Sequence, residues 1–205
     1  MSRFQLVLGT HNAKKLRELE ILLRPYDDVE LRCLADIPDS IEVEETGTTF
    51  EENAILKASE QARHLQAWVL GEDSGISVEA LGGEPGVYSA RFSGADANDE
   101  SNNALLLERL KGVPLEKRTA WYTCHMALSD PSGEIRFNCE ARCHGRILLE
   151  AKGSGGFGYD PLFEIPEYHQ TFGELGDTVK SILSHRARAN RILVPGLLEI
   201  INSVN

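Results

Sequence analysis

The stretch that decides the fold reads Ala67-Trp-Val-Leu-Gly-Glu-Asp-Ser-Gly75. Its first four residues are apolar and favour a buried strand. Glu72 and Asp73 follow almost at once, and two adjacent carboxylates beside a buried strand are costly unless they have a partner. Because open α/β sheets bind ligands beyond the carboxyl ends of their strands, we expect the strand to end here and its acidic end to line a site. An acidic turn is the alternative, since Asp-Ser-Gly is common turn chemistry.

A strand, a polar turn and a helix open the chain. Residues 4–8 are apolar and predict a first buried strand, and residues 16–23 carry apolar side chains at helical spacing. Asn12 stands where an N-cap is expected, and Pro25 stands where the helix should stop. The free N–H groups and the dipole at such a helix end attract phosphate, so the turn at residues 9–15 is a candidate phosphate site. It lacks the Walker pattern, and a capped helix with solvated lysines is the alternative.

A second acidic segment precedes a second helix. Thr49 and Glu52 stand at capping-box spacing, and the apolar residues that follow predict a largely buried helix that runs to about residue 66. Glu44 and Glu45, in the acidic segment, are a second source of carboxylate oxygens for a hard cation, facing Asp73. Lys57 lies on the predicted helix and could point into the same space. A solvated acidic loop is the alternative.

The middle of the chain has the pattern of a hairpin. Two strand-like runs, residues 119–128 and 134–144, flank Asp130-Pro-Ser-Gly133, which predicts a β-hairpin. If the two central residues of that loop form the turn, Cys124 lies opposite Cys139 and the two make a close cross-strand pair of reduced thiols. A loop of odd length would shift the register and cancel this pairing.

The cysteines favour a reducing compartment. The chain has four of them, Cys33, Cys124, Cys139 and Cys143, and none shows the C-x-x-C spacing of zinc or redox sites. A zinc site built on Cys139, Cys143 and His144 is the alternative to buried, reduced thiols, which we favour.

A glycine-rich loop follows the hairpin. Residues 153–161 carry five glycines or aromatic residues in a row at their centre, followed by Asp160. This composition is unsuited to a strand interior. Such a loop can stack on a planar ring and hydrogen-bond its edge, and a bulged turn that covers the core is the alternative.

The C-terminal segment predicts a turn and a last helix. Residues 171–175 indicate a short turn, and Ser184 is the expected cap of the helix that follows. His185 and Arg186 would lie in its first turn, where cations are unfavourable unless they face an anion or an acceptor-rich ligand. Pro195-Gly196 should divide this helix from an apolar tail.

Bulk properties exclude several classes of function. With 205 residues and a formal net charge of −11, the chain is long enough for one domain of two lobes and too acidic to grip the backbone of a nucleic acid. No long apolar run follows a basic start, so we expect no signal peptide, no membrane span and a cytoplasmic protein. A small phosphorylated ligand, held by local lysines and a metal ion, remains compatible with this charge.

Taken together, the motifs resemble the inosine triphosphate pyrophosphatase family from end to end. The matching blocks are Thr10-x-Asn12-x-x-Lys15-x-x-Glu18, Glu45-Thr-Gly-Thr-Thr-Phe-Glu-Glu-Asn-Ala-Ile-Leu-Lys57, Glu72-Asp-Ser-Gly75, Leu81-Gly-Gly-x-Pro-Gly86, Gly155-Gly-Phe-Gly-Tyr-Asp-Pro161 and Ser184-His-Arg186. Their order and spacing make a chance match very improbable, and the segment at residues 88–94 is similar to the bacterial branch.

The resemblance implies a fold, a reaction and a cofactor. The implied fold is α/β, with an elongated central mixed sheet flanked by helices and two lobes with the active cleft between them, in a homodimer. The implied reaction is attack of water on the α-phosphorus of ITP, dITP or XTP, which releases a nucleoside monophosphate and pyrophosphate. The implied cofactor is Mg²⁺, with Mn²⁺ as a substitute, since Mg²⁺ prefers one or two carboxylates together with substrate phosphates.

The resemblance also implies a role for individual residues. Asp73 matches the catalytic base and a metal ligand, Glu45 matches the second metal ligand, and Lys57 joins Asp73 in the catalytic set. The implied phosphate-binding residues are Thr10, His11, Asn12, Ala13, Lys14, Lys15 and Ser74. The implied purine-binding residues are Phe157, Gly158, Tyr159, Asp160, Lys180, His185 and Arg186. His11 is a departure, because many relatives have glycine at this position.

Selectivity is expected at the purine 6-position. A 6-keto base presents an acceptor that donors of His185 or Arg186 can reach, whereas the 6-amino group of adenine would meet donor with donor. The rival enzyme class is a Maf-like house-cleaning pyrophosphatase for pyrimidine or methylated nucleotides, and the intact aromatic loop and Ser184-His-Arg186 count against it. A nucleotide-binding module without catalysis is the alternative from another class, and the combination of Lys15, Glu45 and Asp73 counts against that.

Overall fold

A mixed seven-stranded sheet organises the residues that the computed structural model describes, which are 3–26 and 29–204. The strands are β1 (Phe4–Leu8), β2 (Val29–Cys33), β3 (Trp68–Val78), β4 (Thr119–Ser129), β5 (Ile135–Ile147), β6 (Phe163–Ile165) and β7 (Gln170–Thr171). The helices are α1 (Ala13–Leu23), α2 (Phe50–Leu65), α3 (Asp99–Arg109), α4 (Phe172–Leu183) and α5 (His185–Val204), with short 3-10 turns at Leu34–Asp36, Glu79–Leu81, Gly86–Arg91 and Leu115–Lys117.

The strand order of the sheet is β2-β1-β3-β4-β5-β6-β7. The first strand pairs in parallel with β2 and β3, whereas β6 pairs antiparallel with β5 and β7. Strand and helix therefore alternate at the start of the chain as in parallel α/β folds, and the antiparallel strands follow. The predicted α/β class with a mixed sheet is confirmed.

The described residues form two compact units. The first comprises those within 1–73, 124–141 and 186–205, and the second those within 74–123 and 142–185. The core of the first unit includes Leu6, Leu8, Leu19, Leu70, Met126 and Leu193. The core of the second unit includes Ile76, Leu106, Tyr122, Phe163 and Phe172. Each unit thus has an apolar core of its own.

Among the described residues, none of the helices combines the length and hydrophobicity that a membrane crossing requires.

The acidic stretch lies inside a strand and not beyond its end. The third strand continues through Glu72 and Asp73 to Val78, so the expectation that the strand ends near Leu70 is wrong, as is the alternative of an acidic turn. Successive side chains of a strand point to opposite faces. Glu72 contacts Arg186 of α5, and Asp73 contacts Lys57 of α2. Because each carboxylate meets a cation, the strand tolerates both.

Gly71 allows α2 to pack closely on β3. A Cβ atom at this position would lie 2.2 Å from the carbonyl oxygen of Ala54 and 2.6 Å from the amide nitrogen of Ala58. Both atoms belong to helix backbone and cannot rotate away. A glycine in a strand interior often marks such a close approach of another backbone, and here it sets the distance between the two elements that carry Asp73 and Lys57.

Replacing Gly71 with alanine should therefore destabilise the protein. The added methyl group forces α2 away from β3, and overpacking of this kind costs about 1–3 kcal/mol. Urea unfolding followed by circular dichroism measures the loss. Glu60→Ala, an exposed change on α2, is the control and should stay within about 0.5 kcal/mol of the unmodified chain. An equally stable Gly71→Ala variant would show that the helix is free to move.

The predicted hairpin forms, but its loop is one residue longer than the expected turn. The amide of Asp130 donates to the carbonyl of Glu134 at 3.0 Å, and the amide of Gly133 donates to Asp130 at 2.9 Å. Gly133 has a positive φ of 87°, which suits glycine. The two-residue turn is thus wrong, and the pairing of Cys124 with Cys139 loses its basis. Both thiols are nevertheless free and lie in the same apolar cluster.

The expected turn at residues 171–175 is instead the start of α4. The hydroxyl of Thr171 accepts from the amide of Glu174, and the Glu174 carboxylate accepts from the amide of Thr171 at 2.9 Å. This reciprocal pair is a capping box. The helix is interrupted at Gly176, whose φ of 74° and ψ of 174° are not helical. The cap residues were present in the sequence, and the glycines around them favoured a turn.

The last helix does not divide at Pro195. It runs from His185 to Val204 with the proline inside, so the predicted break is wrong. A proline inside a helix costs about 3 kcal/mol or more, and burial of Leu193, Leu197 and other apolar side chains of the same helix offsets this. Gly196 adds close packing, because a Cβ atom there would lie 2.5 Å from the Phe137 ring. Tertiary packing therefore outweighs the local preference.

Candidate active site

Two carboxylates converge on one lysine in the first unit. Nζ of Lys57 lies 2.8 Å from Oδ1 of Asp73 and 2.9 Å from Oε1 of Glu45. The carboxylate oxygens are thus separated by no more than these two contacts combined. Lys57 extends from α2, Asp73 lies in β3, and Glu45 lies in the loop that leads to the capping box of Thr49 and Glu52. The structure therefore brings together the three residues expected to share one cation site.

The partners of Asp73 hold its carboxylate in a defined orientation. Besides Lys57 at Oδ1, the amide Nδ2 of Asn53 donates to Oδ2 at 3.3 Å. Lys57 also donates to the backbone carbonyl of Glu72 at 3.3 Å. Asn53 is fully buried on α2, and the sequence reasoning did not single it out. Its position four residues after the N-cap Thr49 and one turn before Lys57 was the available signal.

Burial and charge act against each other on these groups. Burial raises the pKa of Asp73, and this outweighs the opposing effect of Lys57 and Lys15. For Lys57 burial alone would lower the pKa, but Asp73 and Glu45 raise it above its ordinary value. The lysine is therefore held as a cation, while the aspartate is a better proton acceptor than an exposed aspartate.

Two converging carboxylates fit a hard cation that also takes ligands from its substrate. Among the residues that the structure describes, no cluster of three or more histidine, cysteine, aspartate or glutamate side chains forms a complete metal site. Mg²⁺ commonly uses one or two carboxylates and fills its remaining positions with water and phosphate oxygens. Glu45 and Asp73 meet this requirement, and the Lys57 ammonium between them marks the negative potential that would attract a cation.

The polar turn before α1 is capped as predicted. Oδ1 of Asn12 accepts from the amides of Lys14 at 3.0 Å and Lys15 at 3.3 Å. Oγ1 of Thr10 accepts from the amide of Asn12 at 3.1 Å. His11, Asn12 and Lys14 are exposed, and Ala13 begins the helix. The N-cap prediction for Asn12 is therefore confirmed, and the exposed turn leaves room for an anion at the helix end.

A buried ion network connects α1, β3 and α5. Arg186 is 1% exposed and donates through Nε and Nη2 to the two carboxylate oxygens of Glu72, each at 2.8 Å. Its Nη1 donates to Glu18 of α1, and Nζ of Lys15 lies 3.4 Å from Glu72. Burial alone would lower the pKa of Arg186, but Glu72 and Glu18 raise it. Arg186 lies in the first turn of α5, where a cation needs a nearby anion. The carboxylates of Glu72 and Glu18 provide that negative charge.

Glu72 and Glu18 were not assigned roles from the sequence. Glu72 is fully buried and is the residue before Asp73, and Glu18 closes the first motif block. Their signal was therefore present, but their shared partner lies more than a hundred residues away in sequence. Only the folded chain brings Arg186 to them.

In the second unit, an aromatic loop is fixed by a buried ion pair. Oδ2 of Asp160 accepts from Nζ of Lys180 at 2.6 Å and from the amide of Phe157 at 2.8 Å. The same ammonium lies 4.0 Å from the centre of the Phe157 ring, which is a cation–π distance. The hydroxyl of Tyr159 donates to the carbonyl of Ser89 at 2.8 Å. The structure therefore groups Phe157, Asp160 and Lys180, which are three residues of the predicted purine-binding set.

Two further predicted residues belong to the second unit. His185 stacks on Tyr122, with ring centres 4.7 Å apart and planes tilted by 9°. Ser74 is half-buried in β3, directly after Asp73. Tyr122 was not singled out from the sequence, since an aromatic residue in a strand is usually part of a core.

Comparison with known proteins places the chain in a family. Residues 6–195 match the Ham1 family. The chain is 55% identical over 200 residues to a dITP/XTP pyrophosphatase of Rhodopirellula baltica. The matched region covers 98% of this chain and 96% of that protein. The solved structure of a HAM1 protein from Coxiella burnetii has a TM-score of 0.87 at 34% identity and covers 96% of this chain and 99% of the other.

A second solved structure agrees. The nucleoside-triphosphatase or dITP/XTP pyrophosphatase of Mycobacterium abscessus is 41% identical, with a TM-score of 0.75, and covers 95% of this chain and 100% of the other. Fold and site thus define an α/β protein with a lysine-bridged carboxylate pair. The chain belongs to the Ham1 family, and the resemblance inferred from its motifs is confirmed.

Buried His125 makes the stability of the folded protein depend on pH. The residue lies in β4 and is 4% exposed, and neither ring nitrogen has a hydrogen-bond partner among the described residues. Burial lowers its pKa below 6.5, against the opposing influence of Glu51, Glu140 and Asp73. Below pH 6.5 the unfolded chain therefore takes up the proton more readily than the folded chain, so stability falls with falling pH.

Replacing His125 with valine should remove this loss. We expect the free energy of unfolding of His125→Val to decline less between pH 7 and pH 5 than that of the unmodified chain. A difference in unfolding free energy between the two proteins at pH 8, where the histidine is neutral, reports the change in packing. Urea titrations at each pH measure both quantities. Parallel pH profiles would show that another group titrates.

Proposed function

We propose that the chain hydrolyses non-standard purine nucleoside triphosphates, ITP, dITP and XTP, to the nucleoside monophosphate and pyrophosphate. The observation that carries the proposal is the convergence of Glu45 and Asp73 on Lys57, one strand residue away from the buried Glu72–Arg186 pair. The names of the Rhodopirellula and Mycobacterium relatives support the substrate class. Removal of these nucleotides from the cellular pool is the corresponding role.

Glu45 and Asp73 would hold a divalent cation, Mg²⁺ with Mn²⁺ as a substitute. When bound, such an ion polarises a phosphoryl group and helps to generate hydroxide from water. The two residues offer oxygen ligands from separate elements, and substrate phosphates would complete the coordination.

Asp73 would accept the proton of the attacking water. The water oxygen forms a bond to the α-phosphorus, the bond from that phosphorus to the oxygen bridging the α- and β-phosphates breaks, and pyrophosphate leaves with the electron pair. The raised pKa of Asp73 suits this role, because general bases work best with a pKa close to the operating pH. Lys57 would orient the carboxylate and offset charge on the phosphates.

The capped turn before α1 would bind the phosphate chain. Lys14 and Lys15 supply positive charge, and Thr10, His11, Asn12 and Ala13 supply the start of the helix, whose dipole favours anions. Ser74 would add a hydroxyl. A triphosphate repels an incoming nucleophile, so cations that withdraw its charge lower the barrier.

The aromatic loop would bind the purine. Phe157 would stack on the ring, while Gly158, Tyr159 and Asp160 complete the site and Lys180 and His185 approach the edge of the base. A 6-keto acceptor pairs with such donors, whereas a 6-amino group would leave polar atoms unpaired at about 1–3 kcal/mol per group. A direct contact of Arg186 with the base stays a prediction, since its donors bind Glu72 and Glu18 in the structure.

A panel of triphosphates tests this function. The purified chain is incubated with Mg²⁺ and each of ITP, dITP, XTP, ATP, GTP, dUTP and 7-methyl-GTP, and pyrophosphate release is measured. We expect release from ITP, dITP and XTP far above that from ATP. Preference for the pyrimidine or methylated nucleotide would favour the Maf-like class. Binding of ITP without any release would favour a nucleotide-binding module.

We also propose a homodimer in the cytoplasm that binds neither membrane nor nucleic acid. The family resemblance supports the dimer, and light scattering after size-exclusion chromatography measures it. Four free and buried cysteines agree with a reducing compartment. The net charge of −11 counts against a nucleic-acid partner. The arrangement of two lobes around a cleft stays a prediction.

A further inference from the structure

The aromatic loop is held from outside by a side chain that has no assigned role. Nδ2 of Asn103, on α3, donates to the carbonyl oxygen of Gly158 at 2.9 Å. Gly158 has a positive φ of 61°, a conformation that glycine adopts without strain. The contact therefore fixes the orientation of the peptide between Gly158 and Tyr159, one residue beyond Phe157.

The side-chain oxygen of Asn103 has an unusual environment. Oδ1 of Asn103 is buried and has no hydrogen-bond partner among the described residues. A buried unpaired polar atom is uncommon and calls for an explanation. Neighbouring Asn102 is fully engaged, since it accepts from the amide of Ser93 at 2.8 Å and donates to the carbonyl of Ala90 at 3.1 Å. The helix thus tolerates an incompletely satisfied amide at Asn103, whose nitrogen holds the loop.

The loop has few other anchors in its centre. Asp160 fixes the amide of Phe157 at one end, and the Tyr159 hydroxyl is fixed by Ser89. The amide of Asp160 also donates to the carbonyl of Phe157 at 3.3 Å. Gly156 and Gly158, on either side of Phe157, both have positive φ and lack side chains that could hold the backbone. Loss of the Asn103 contact would therefore free the Gly158–Tyr159 peptide and loosen the backbone next to Phe157.

We propose that Asn103 is a positioning residue for purine binding, which acts through Gly158 and does not touch the substrate. The inference rests on the proposed function, because it assumes that Phe157 stacks on the base. It predicts that Asn103 governs affinity for the purine and leaves the phosphate chemistry unaffected.

Two substitutions test the role of the Asn103 donor. Asn103→Asp keeps the shape but places a carboxylate oxygen opposite the Gly158 carbonyl, and Asn103→Leu removes the polar group at similar volume. We expect the KM for ITP and the inhibition constant of IMP to rise about 3- to 10-fold, the effect of one lost hydrogen bond. The value of kcat and the inhibition constant of pyrophosphate should change less than about 2-fold.

Asn98→Asp is the matched control. It makes the same amide-to-carboxylate change on the same helix, at an N-cap that accepts aspartate equally well. It should leave all four constants unchanged. Circular dichroism checks that each variant is folded, and Asn103→Ser serves as a smaller change if leucine prevents folding.

The outcomes separate this inference from the proposed function. Unchanged IMP inhibition in Asn103→Asp would overturn the inference, as would an equal loss of IMP and pyrophosphate binding, which indicates a general structural role. Absence of pyrophosphate release by the unmodified chain would overturn the proposed activity instead. In that case the ITP affinities of the unmodified chain and of Asn103→Asp, measured by calorimetry in EDTA, still decide the role of Asn103. If the unmodified chain does not bind ITP, both the inference and the proposed function are overturned.

Discussion

Asp73→Asn is expected to abolish pyrophosphate release from ITP while the fold stays intact. Asparagine has the same shape and can keep the contact with the Asn53 amide after reorientation, but it can neither accept a proton nor offer a charged oxygen to a cation. A general base contributes about 10²–10⁴-fold, and loss of a cation ligand adds to this. We expect turnover at least about 10³-fold below that of the unmodified chain, measured by pyrophosphate release at saturating Mg²⁺.

The control for this prediction is Asp36→Asn, an exposed change of the same kind in the first unit. It should retain full turnover. Since Asp73 acts in its ionised form, activity of the unmodified chain should also decline as the pH falls through the raised pKa of this group. Near-normal turnover of Asp73→Asn would assign the base to another residue.

Arg186→Met is expected to cause the largest loss of stability. It would leave Glu72, which is fully buried, without its bidentate partner, and breaking a buried pair in this way costs about 3–5 kcal/mol. The double variant Glu72→Gln with Arg186→Met removes both charges and should recover a large part of the loss. Urea unfolding of the unmodified chain, of each single variant (Glu72→Gln and Arg186→Met) and of the double variant gives four free energies, from which the coupling between the two residues follows.

Arg188→Met is the matched control, since Arg188 is exposed on the same helix and should cost less than about 0.5 kcal/mol. A loss for Arg186→Met no larger than this would mean that Glu72 readily finds another partner or a proton. Because Arg186 is predicted to reach the purine 6-position, Arg186→Ala should also lose preference for ITP over ATP. This preference is measured at a temperature where the variant is folded, so that a loss of folding is not taken for a loss of recognition.

Local signals in the sequence were sufficient where the stabilising contacts are local. The N-cap of Asn12 and the capping box of Thr49 and Glu52 join residues within one helical turn, and both were predicted and formed. The convergence of Lys57 with Asp73 also followed from the sequence, because a strand and the helix before it are close neighbours along the chain.

The misses arose where distant partners override local preference. Glu72 and Asp73 look like the end of a strand because charged residues are unfavourable in a buried sheet, and only Arg186 and Lys57 on its two faces make the strand continue. Pro195 looks like a helix stop because the cost of proline is local, whereas the packing that offsets it comes from other elements. The role of Asn103 is equally invisible, since its partner is a backbone carbonyl 55 residues away.

The alternation of Glu72 and Asp73 across β3 restricts which changes of length this strand tolerates. A single residue inserted into or removed from the strand ahead of Glu72 would exchange the two faces, turning Asp73 towards α5 and Glu72 towards α2. Both ion pairs would be lost in one mutational step. The strand can therefore change by substitution, but its length ahead of these two residues is fixed.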